Sequence, residues 1–503
     1  MAETAPPIDL QAETIITLNA RMDSGALTAH SLTQHCLDQI ERINPKINAI
    51  LEINPDALHI AQELDQERAS RGPRSLLHGM PILIKDNLDT ADKMMTTAGS
   101  LALVGSYAKV DSFVVKKLRQ AGAVLLGKTN MSEWANYRST RSSSGWSSRG
   151  GQTRNPYALD RSPGGSSSGS AAAVAAGLCV AAIGTETDGS IVSPSSMNSI
   201  VGIKPTVGLV GRSGIIPISH SQDTAGPMAR CVEDAAILLD LIADVDPADD
   251  ITKQRQSALP IHRPKDLSAA GLKGAKVGVA RNYCGYHEGV DEIVASAISA
   301  IERAGGEVID GLGLVTMADI RVHESIVMST EFKFGLNQYL SGTTQQCVRS
   351  LADVIAFNEK NSPTTMPYFR QELLEISQAR NDLSDPEYQQ ALGESRRLAR
   401  DAGIDAMLSE HQLDAIISPT TCPPWLIDWV GGDNRSGGSA CAAAVAGYPS
   451  VTVPAGYVFG LPVGLSFFST VDRDAMLIKL AYAFEQQTKA RIAPQLNDHA
   501  TLN

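Results

Sequence analysis

Serine, lysine and glycine supply the patterns in this chain that could do chemistry, and three such patterns compete. Residues 122–129 read GAVLLGKT and match the phosphate-cradling loop G-x-x-x-x-G-K-T. In such a loop the strand ends before the first glycine, and the following backbone N–H groups wrap a phosphate. Here a helical pattern precedes Gly122, and Ala-Val-Leu-Leu is itself of strand type, so the spacing argues against a nucleotide site. Residues 165–169 read GSSSG, the serine-elbow pattern centred on Ser167, which needs an apolar strand directly before it. Arg161-Ser162-Pro163-Gly164 is no such strand, and no later Asp and His stand out as triad partners. The third pattern is longer: SPGGSSSGSAAAVAAG over 162–177, then IGTETDGSIVSP over 183–194, with Lys85 placed earlier in PILIKDN. Serines beside a lysine suit nucleophilic acyl transfer only if the lysine is neutral, and its ordinary pKa is about 10.4. Burial among Pro-Ile-Leu-Ile would lower that value, whereas pairing with Asp86 would raise it.

The third pattern resembles the signature of the amidase signature family. PILIKDN and GKTNMSEWAN fall where that family has its lysine strand and the strand after it. KPTVGLVGRSGIIPIS and SQDTAGPMAR follow in order up to Arg230, and SAAAVAGYPSVTVPAG with GLPVGL extends the likeness toward the C-terminus. The resemblance implies an α/β fold with a large mixed, mostly parallel twisted sheet covered by helices. It implies amide hydrolysis by a Ser-Ser-Lys relay: Ser190 as nucleophile, Ser166 as bridging serine after a cis Gly165–Ser166 peptide, and Lys85 as base. Backbone N–H groups of Thr187, Asp188, Gly189 and Ser190 would hold the oxyanion, and Ala135 would lend backbone to the substrate pocket. No metal and no organic cofactor are implied.

The chain departs from the family turn G-T-D-x-G-G-S. Glu186 replaces the aspartate, Asp188 replaces the first glycine, and Val192 stands where relatives that bind carboxylates carry arginine. These variants, with SEWAN and SSSGWSSRGGQTRNP, look most like the bacterial peptide amidase branch, which frees ammonia from the C-terminal carboxamide of peptides. Trp134 to Arg138 and the loop through Trp146 are then candidate pocket walls. A fatty-acyl or aryl amidase with the same relay is the alternative, ahead of an amidotransferase subunit or a nucleotide-binding protein.

The elements that must position these residues can be read from periodicity. Residues 1–75 read as helices, with Gly25 and Asn44-Pro45 as breaks. PILIKDNL and AGAVLLGKTN are strand-length runs flanking the helical DSFVVKKLRQAG, a β-α-β unit. The Ser/Gly/Arg-rich stretch 139–170 leads straight into an Ala-rich helix, which favours a site loop over a linker. A polar stretch covers Asp246 to Lys265; residues 318–412 read as mainly helical and are expected to line the substrate pocket; later strands close the sheet. One amidase domain over 1–503, with its signature core at 79–235, is the expected organisation.

Composition sets limits on partners. Of 503 residues, 43% are hydrophobic and 19% charged, as in a globular chain with a large core. With 43 basic and 55 acidic residues the net charge is −12, which repels phosphate backbones and disfavours nucleic acid. A small-molecule or peptide amide is the expected partner, and the oligomeric state is not encoded in any pattern. The most apolar stretch, residues 171–184, is too short to span a bilayer. No signal peptide is visible at the start, so the expected location is cytoplasmic, or periplasmic if a leader was removed. The scattered cysteines and histidines form no metal-binding spacing.

Overall fold

Apolar runs that the sequence leaves unbroken by polar residues become the central strands, because strands covered on both faces have no solvent side to alternate with. The computed structural model describes residues 7–258, 266–314, 317–343 and 347–501. Its strands are β1 (Ile50–Ile53), β2 (Pro81–Lys85), β3 (Val124–Thr129), β4 (Trp146–Ser147), β5 (Gly151–Gln152), β6 (Ala181–Glu186) and β7 (Val201–Lys204). They continue with β8 (Thr224–Ala229), β9 (Lys276–Ala280), β10 (Glu307–Leu312), β11 (Ala415–Pro419), β12 (Ser450–Val458) and β13 (Leu461–Phe468). Eleven of them form one sheet in the order β1-β3-β2-β6-β8-β7-β12-β13-β11-β9-β10, while β4 and β5 pair as a small ribbon.

The expected large mixed sheet covered by helices is present, but its balance is antiparallel rather than mostly parallel. Six neighbouring pairs are antiparallel. Four are parallel: β3-β2, β2-β6, β11-β9 and β9-β10. The β-α-β unit at the start is parallel as its crossover helix requires, whereas β12 and β13 are joined by a tight hairpin, which can only pair antiparallel.

The covering helices begin with α1 (Ile15–Asp23), α2 (Ala29–Ile47), α3 (Ala57–Arg71) and α4 (Phe113–Gln120). Next come α5 (Ser168–Ala175), α6 (Val192–Met197), α7 (Val232–Ile242), α8 (Glu288–Arg303) and α9 (Met317–Gly342). Thr28 caps α2 in a reciprocal capping box with Ser31, and Pro45, expected as a break, sits inside its last turn, where it removes one hydrogen bond to Glu41 O but leaves the helix only two residues to run. Residues 1–75 are not all helical: ILEI forms the edge strand β1, a segment too short to show a period. Part of the polar 246–265 stretch, residues 259–265, lies outside the described residues, as do 344–346 within the helical 318–412 segment.

Because β2 and β6 are parallel neighbours, their C-terminal ends, at Lys85 and Thr185-Glu186, meet at one edge of the sheet. That is where open α/β sheets present their ligand sites. The Ala-rich helix α5 is pressed into the same edge. A Cβ on Gly169 would lie 2.2 Å from Ala49 O and 2.5 Å from Asn130 O, so only glycine permits this approach.

Candidate active site

The loop that precedes α5 brings Ser166 onto the lysine. The Gly165–Ser166 peptide is cis, as the resemblance implied. Gly164 has φ +70°, and a Cβ on Gly165 would lie 2.4 Å from Ser132 Oγ, so the paired glycines are required by backbone conformation and by close approach. Lys85 Nζ donates to Ser166 Oγ at 2.8 Å, to Thr185 Oγ1 at 2.8 Å and to Thr185 O at 3.1 Å. All three partners are uncharged oxygens. Thr185 Oγ1 also accepts from Asn87 Nδ2 at 3.0 Å, which fixes its orientation.

Lys85 is fully buried, and desolvation pushes its ammonium down to about 7 against the opposing charges of Asp223 and Glu186. Asp86, the partner that would have raised it, turns the other way: its carboxylate binds Thr97 Oγ1 and Gly99 N and faces Arg149. Ser167, centre of the elbow pattern, is spent on backbone, its hydroxyl donating to Thr185 O at 3.1 Å and accepting from Thr185 N at 3.2 Å.

Ser190 closes the arrangement. Its carbonyl accepts from Ser167 N at 3.2 Å, and its hydroxyl has no hydrogen-bond partner among the described residues. It lies on the wall of a cavity of about 190 Å³, together with Gly165, Thr187, Asp188 and Gly189. The N–H groups of Asp188, Gly189 and Ser190 reach no acceptor among the described residues. Gly189 adopts φ +78°, which favours glycine at this turn. Glu186, the substituted residue, serves the local structure. Its Oε2 accepts from Ile191 N at 2.7 Å and Val192 N at 3.0 Å, capping α6 directly after Ser190. Val192 is buried and does not line the cavity.

Asp223 lies in SQDTAGPMAR without being singled out there as a site residue. Its carboxylate accepts from Thr187 Oγ1, Ile218 N and Ser219 N, tying the turn to the neighbouring loop, and burial raises it to about 6. Thr185 and Asn87 are likewise contributors that motif spacing does not reveal, although Thr185 lies in IGTETDGSIVSP and Asn87 in PILIKDN.

Ala135 is on the cavity wall, inside a left-handed run in which Trp134, Ala135 and Asn136 have φ of 52°, 54° and 68°. Of the other expected walls, Asn136, Tyr137 and Ser144 also line the cavity, whereas Trp134, Arg138 and Trp146 do not. Trp134 is buried in an apolar cluster with Tyr137 and Phe332; Arg138 pairs with Glu133 at 2.8 Å beneath Trp146 and Phe369. Aromatic bulk there fills the core around a buried ion pair. The helical 318–412 segment does reach the cavity, through Arg321 and Met328 of α9.

A second cavity of about 470 Å³ shares Ala135, Thr187 and Ile218 with the first, and its walls are largely apolar, with Ile215, Ile216, Phe334 and Leu383. Among the described residues, Asp188, Glu324 and Cys441 bring three potential metal-binding atoms within 4.8 Å, but the charge of Arg321 acts on the same group and opposes a cation. The GAVLLGKT segment is helix α4 followed by the fully buried strand β3, without a phosphate-wrapping loop. Among the described residues no helix is long and apolar enough to cross a membrane.

The mixed sheet thus brings a serine-lysine pair, and a serine hydroxyl without a hydrogen-bond partner among the described residues, to the same end of its strands, and comparison with known proteins gives the class. The model of the family described as Amidase matches residues 31–478, so the chain belongs to the amidase signature family and is an amide-hydrolysing enzyme. A probable amidase of Arabidopsis thaliana is 40% identical over 97% of this chain and 92% of its own length. The structure of native peptide amidase from Stenotrophomonas maltophilia superposes with a TM-score of 0.91 at 48% identity, covering 97% of this chain and 100% of that one. A peptide amidase in complex with the competitive inhibitor chymostatin matches with a TM-score of 0.92 at 48% identity, covering 96% and 99% of the two chains.

Proposed function

We propose that the enzyme hydrolyses the C-terminal carboxamide of peptides to the free acid and ammonia through a Ser190–Ser166–Lys85 relay. The observation that carries the relay is the 2.8 Å contact between Lys85 Nζ and Ser166 Oγ inside a site where the lysine has no carboxylate partner. Neutral Lys85 takes the proton of Ser166 as Ser166 takes that of Ser190, and Ser190 Oγ attacks the amide carbonyl. The turn N–H groups of 187–190 receive the oxyanion, each such donor being worth about 3 kcal/mol in comparable sites. Collapse of the tetrahedral intermediate breaks the C–N bond, and the relay returns a proton to the departing ammonia. Water then attacks the acyl-Ser190 ester by the same route.

Similarity to peptide amidases over nearly the whole chain supports a peptide carboxamide as substrate. The apolar second cavity favours one other reading, an amidase for fatty-acyl or aryl amides using the same residues. Ammonia or amine release from C-terminal peptide amides, a long-chain fatty amide and an aryl acylamide, by wild type and Ser190→Ala, separates the two. Peptide-amide turnover lost in the variant is the expected result; turnover confined to the other amides overturns the peptide reading, and unchanged activity in Ser190→Ala overturns the nucleophile.

A further inference from the structure

Resting on the peptide-amide reading, one group of the catalytic cavity still lacks a role. Asp188 lies on the cavity wall with Ser190, Arg321 and Arg435. It accepts no hydrogen bond from any described residue. The neighbouring acid is different: Glu324 accepts from Gln222 Nε2 at 2.9 Å and from Cys441 Sγ at 3.6 Å. Burial raises both acids; Glu324, held up to about 8, already has two donors of its own, whereas the Asp188 carboxylate has none among the described residues.

A carboxylate that gains no donor when a substrate displaces water loses its hydration uncompensated. A substrate that brings an N–H to that point restores the bond. The side of the site is also defined. Lys85 Nζ is taken up by Ser166 and Thr185 and does not line this cavity, whereas the Asp188 carboxylate lies within 4.8 Å of the Glu324 carboxylate and Cys441 Sγ. Asp188 therefore lies on the Glu324–Cys441 side of the cavity rather than beside Lys85, the side left for the acyl part.

We propose that the Asp188 carboxylate accepts the backbone N–H of the residue bearing the carboxamide, and thereby selects peptidyl groups over fatty-acyl and aryl groups, which have no N–H at that position.

The test compares an N-acetyl dipeptide amide with its depsipeptide counterpart, in which that N–H is replaced by an ester oxygen, following ammonia release. Wild type should prefer the peptide in kcat/KM by about 10- to 100-fold, the scale of one charge-assisted hydrogen bond. In Asp188→Ala the preference should fall below about threefold, and Asp188→Asn, which keeps a neutral acceptor, should lie between. A preference unchanged in Asp188→Ala, or absent in wild type, overturns the assignment. Should Asp188→Ala be inactive, the Kd ratio of the same two ligands in Ser190→Ala, with and without Asp188→Ala, reads the same coupling. Hydrolysis of fatty or aryl amides with neither peptide ligand turned over would instead overturn the peptide-amide reading itself.

Discussion

Two fully buried lysines lie on neighbouring strands, Lys85 at the end of β2 and Lys128 in β3, and they meet different surroundings. In the parallel register Ile84 is opposite Lys128 and Lys85 opposite Thr129, so the two side chains project from opposite faces of the sheet. Lys128 Nζ donates to Leu88 O at 2.6 Å and Thr96 Oγ1 at 3.1 Å, and the carboxylates of Asp86, Asp89, Asp92 and Glu52 act on it. It clamps the loop after β2. Lys85 meets hydroxyls instead, and one of its two partners at 2.8 Å, Ser166, follows Gly165, which lines the cavity with Ser190. Burial lowers the pKa of both lysines, so desolvation alone does not make a base. What distinguishes them is that Lys85 donates to a serine hydroxyl, the contact on which the proposed relay rests, and Lys128 to a carbonyl and a threonine.

The largest expected effect breaks this comparison at Lys85. Lys85→Met should lower kcat/KM for the preferred amide by at least about 10³-fold while leaving a native circular-dichroism spectrum. Activity within tenfold of wild type would remove Lys85 from the relay. Lys128→Met should show the reverse pattern, a loss of roughly 3 kcal/mol of stability in urea denaturation, because Asp86 and the Leu88 carbonyl lose a buried partner. Its kcat/KM per folded molecule should stay within about threefold of wild type.

The pH dependence sharpens the contrast. With Lys85 lowered to about 7, kcat/KM should fall about tenfold per pH unit below that value, since the protonated amine accepts no proton. The same shift has a stability consequence. Between about 7 and the ordinary 10.5, the unfolded chain holds a proton at Lys85 that the folded chain does not, so wild type should gain stability relative to Lys85→Met as pH rises through this window. A stability difference flat over that range would mean the folded lysine is not depressed. The smallest effect is expected from Thr185→Val, which removes one hydroxyl partner of Lys85 and the anchor of Asn87; kcat/KM should drop by about tenfold, with the Tm little changed.

Much of the site was legible because its residues sit in long ordered motifs. Lys85, Ser166 and Ser190 belong to three separate segments, and the structure brings the segments to one sheet edge. Thr185 was not legible as a partner of Lys85, since its role arises only when β6 pairs beside β2. Asp223 likewise acquires meaning from Thr187 across a loop. The strand β1 escaped because four residues carry no period. Trp134, Arg138 and Trp146 suggested pocket walls by position alone, whereas packing of Arg138 against Glu133 and two aromatic rings turned them into core.

Local sequence by itself determined the apolar strands β2 and β3, the helix between them, and the glycines that allow Ser166 and Gly169 to approach their neighbours, since these depend on side-chain period and the presence or absence of a Cβ. Tertiary structure alone decided the antiparallel majority of the sheet, which of two buried lysines faces a serine, and that Asp188 stands unpartnered in the cavity. Those outcomes follow from pairing between segments far apart in the chain, where shifting one strand register by a single residue would send Lys85 to the other face.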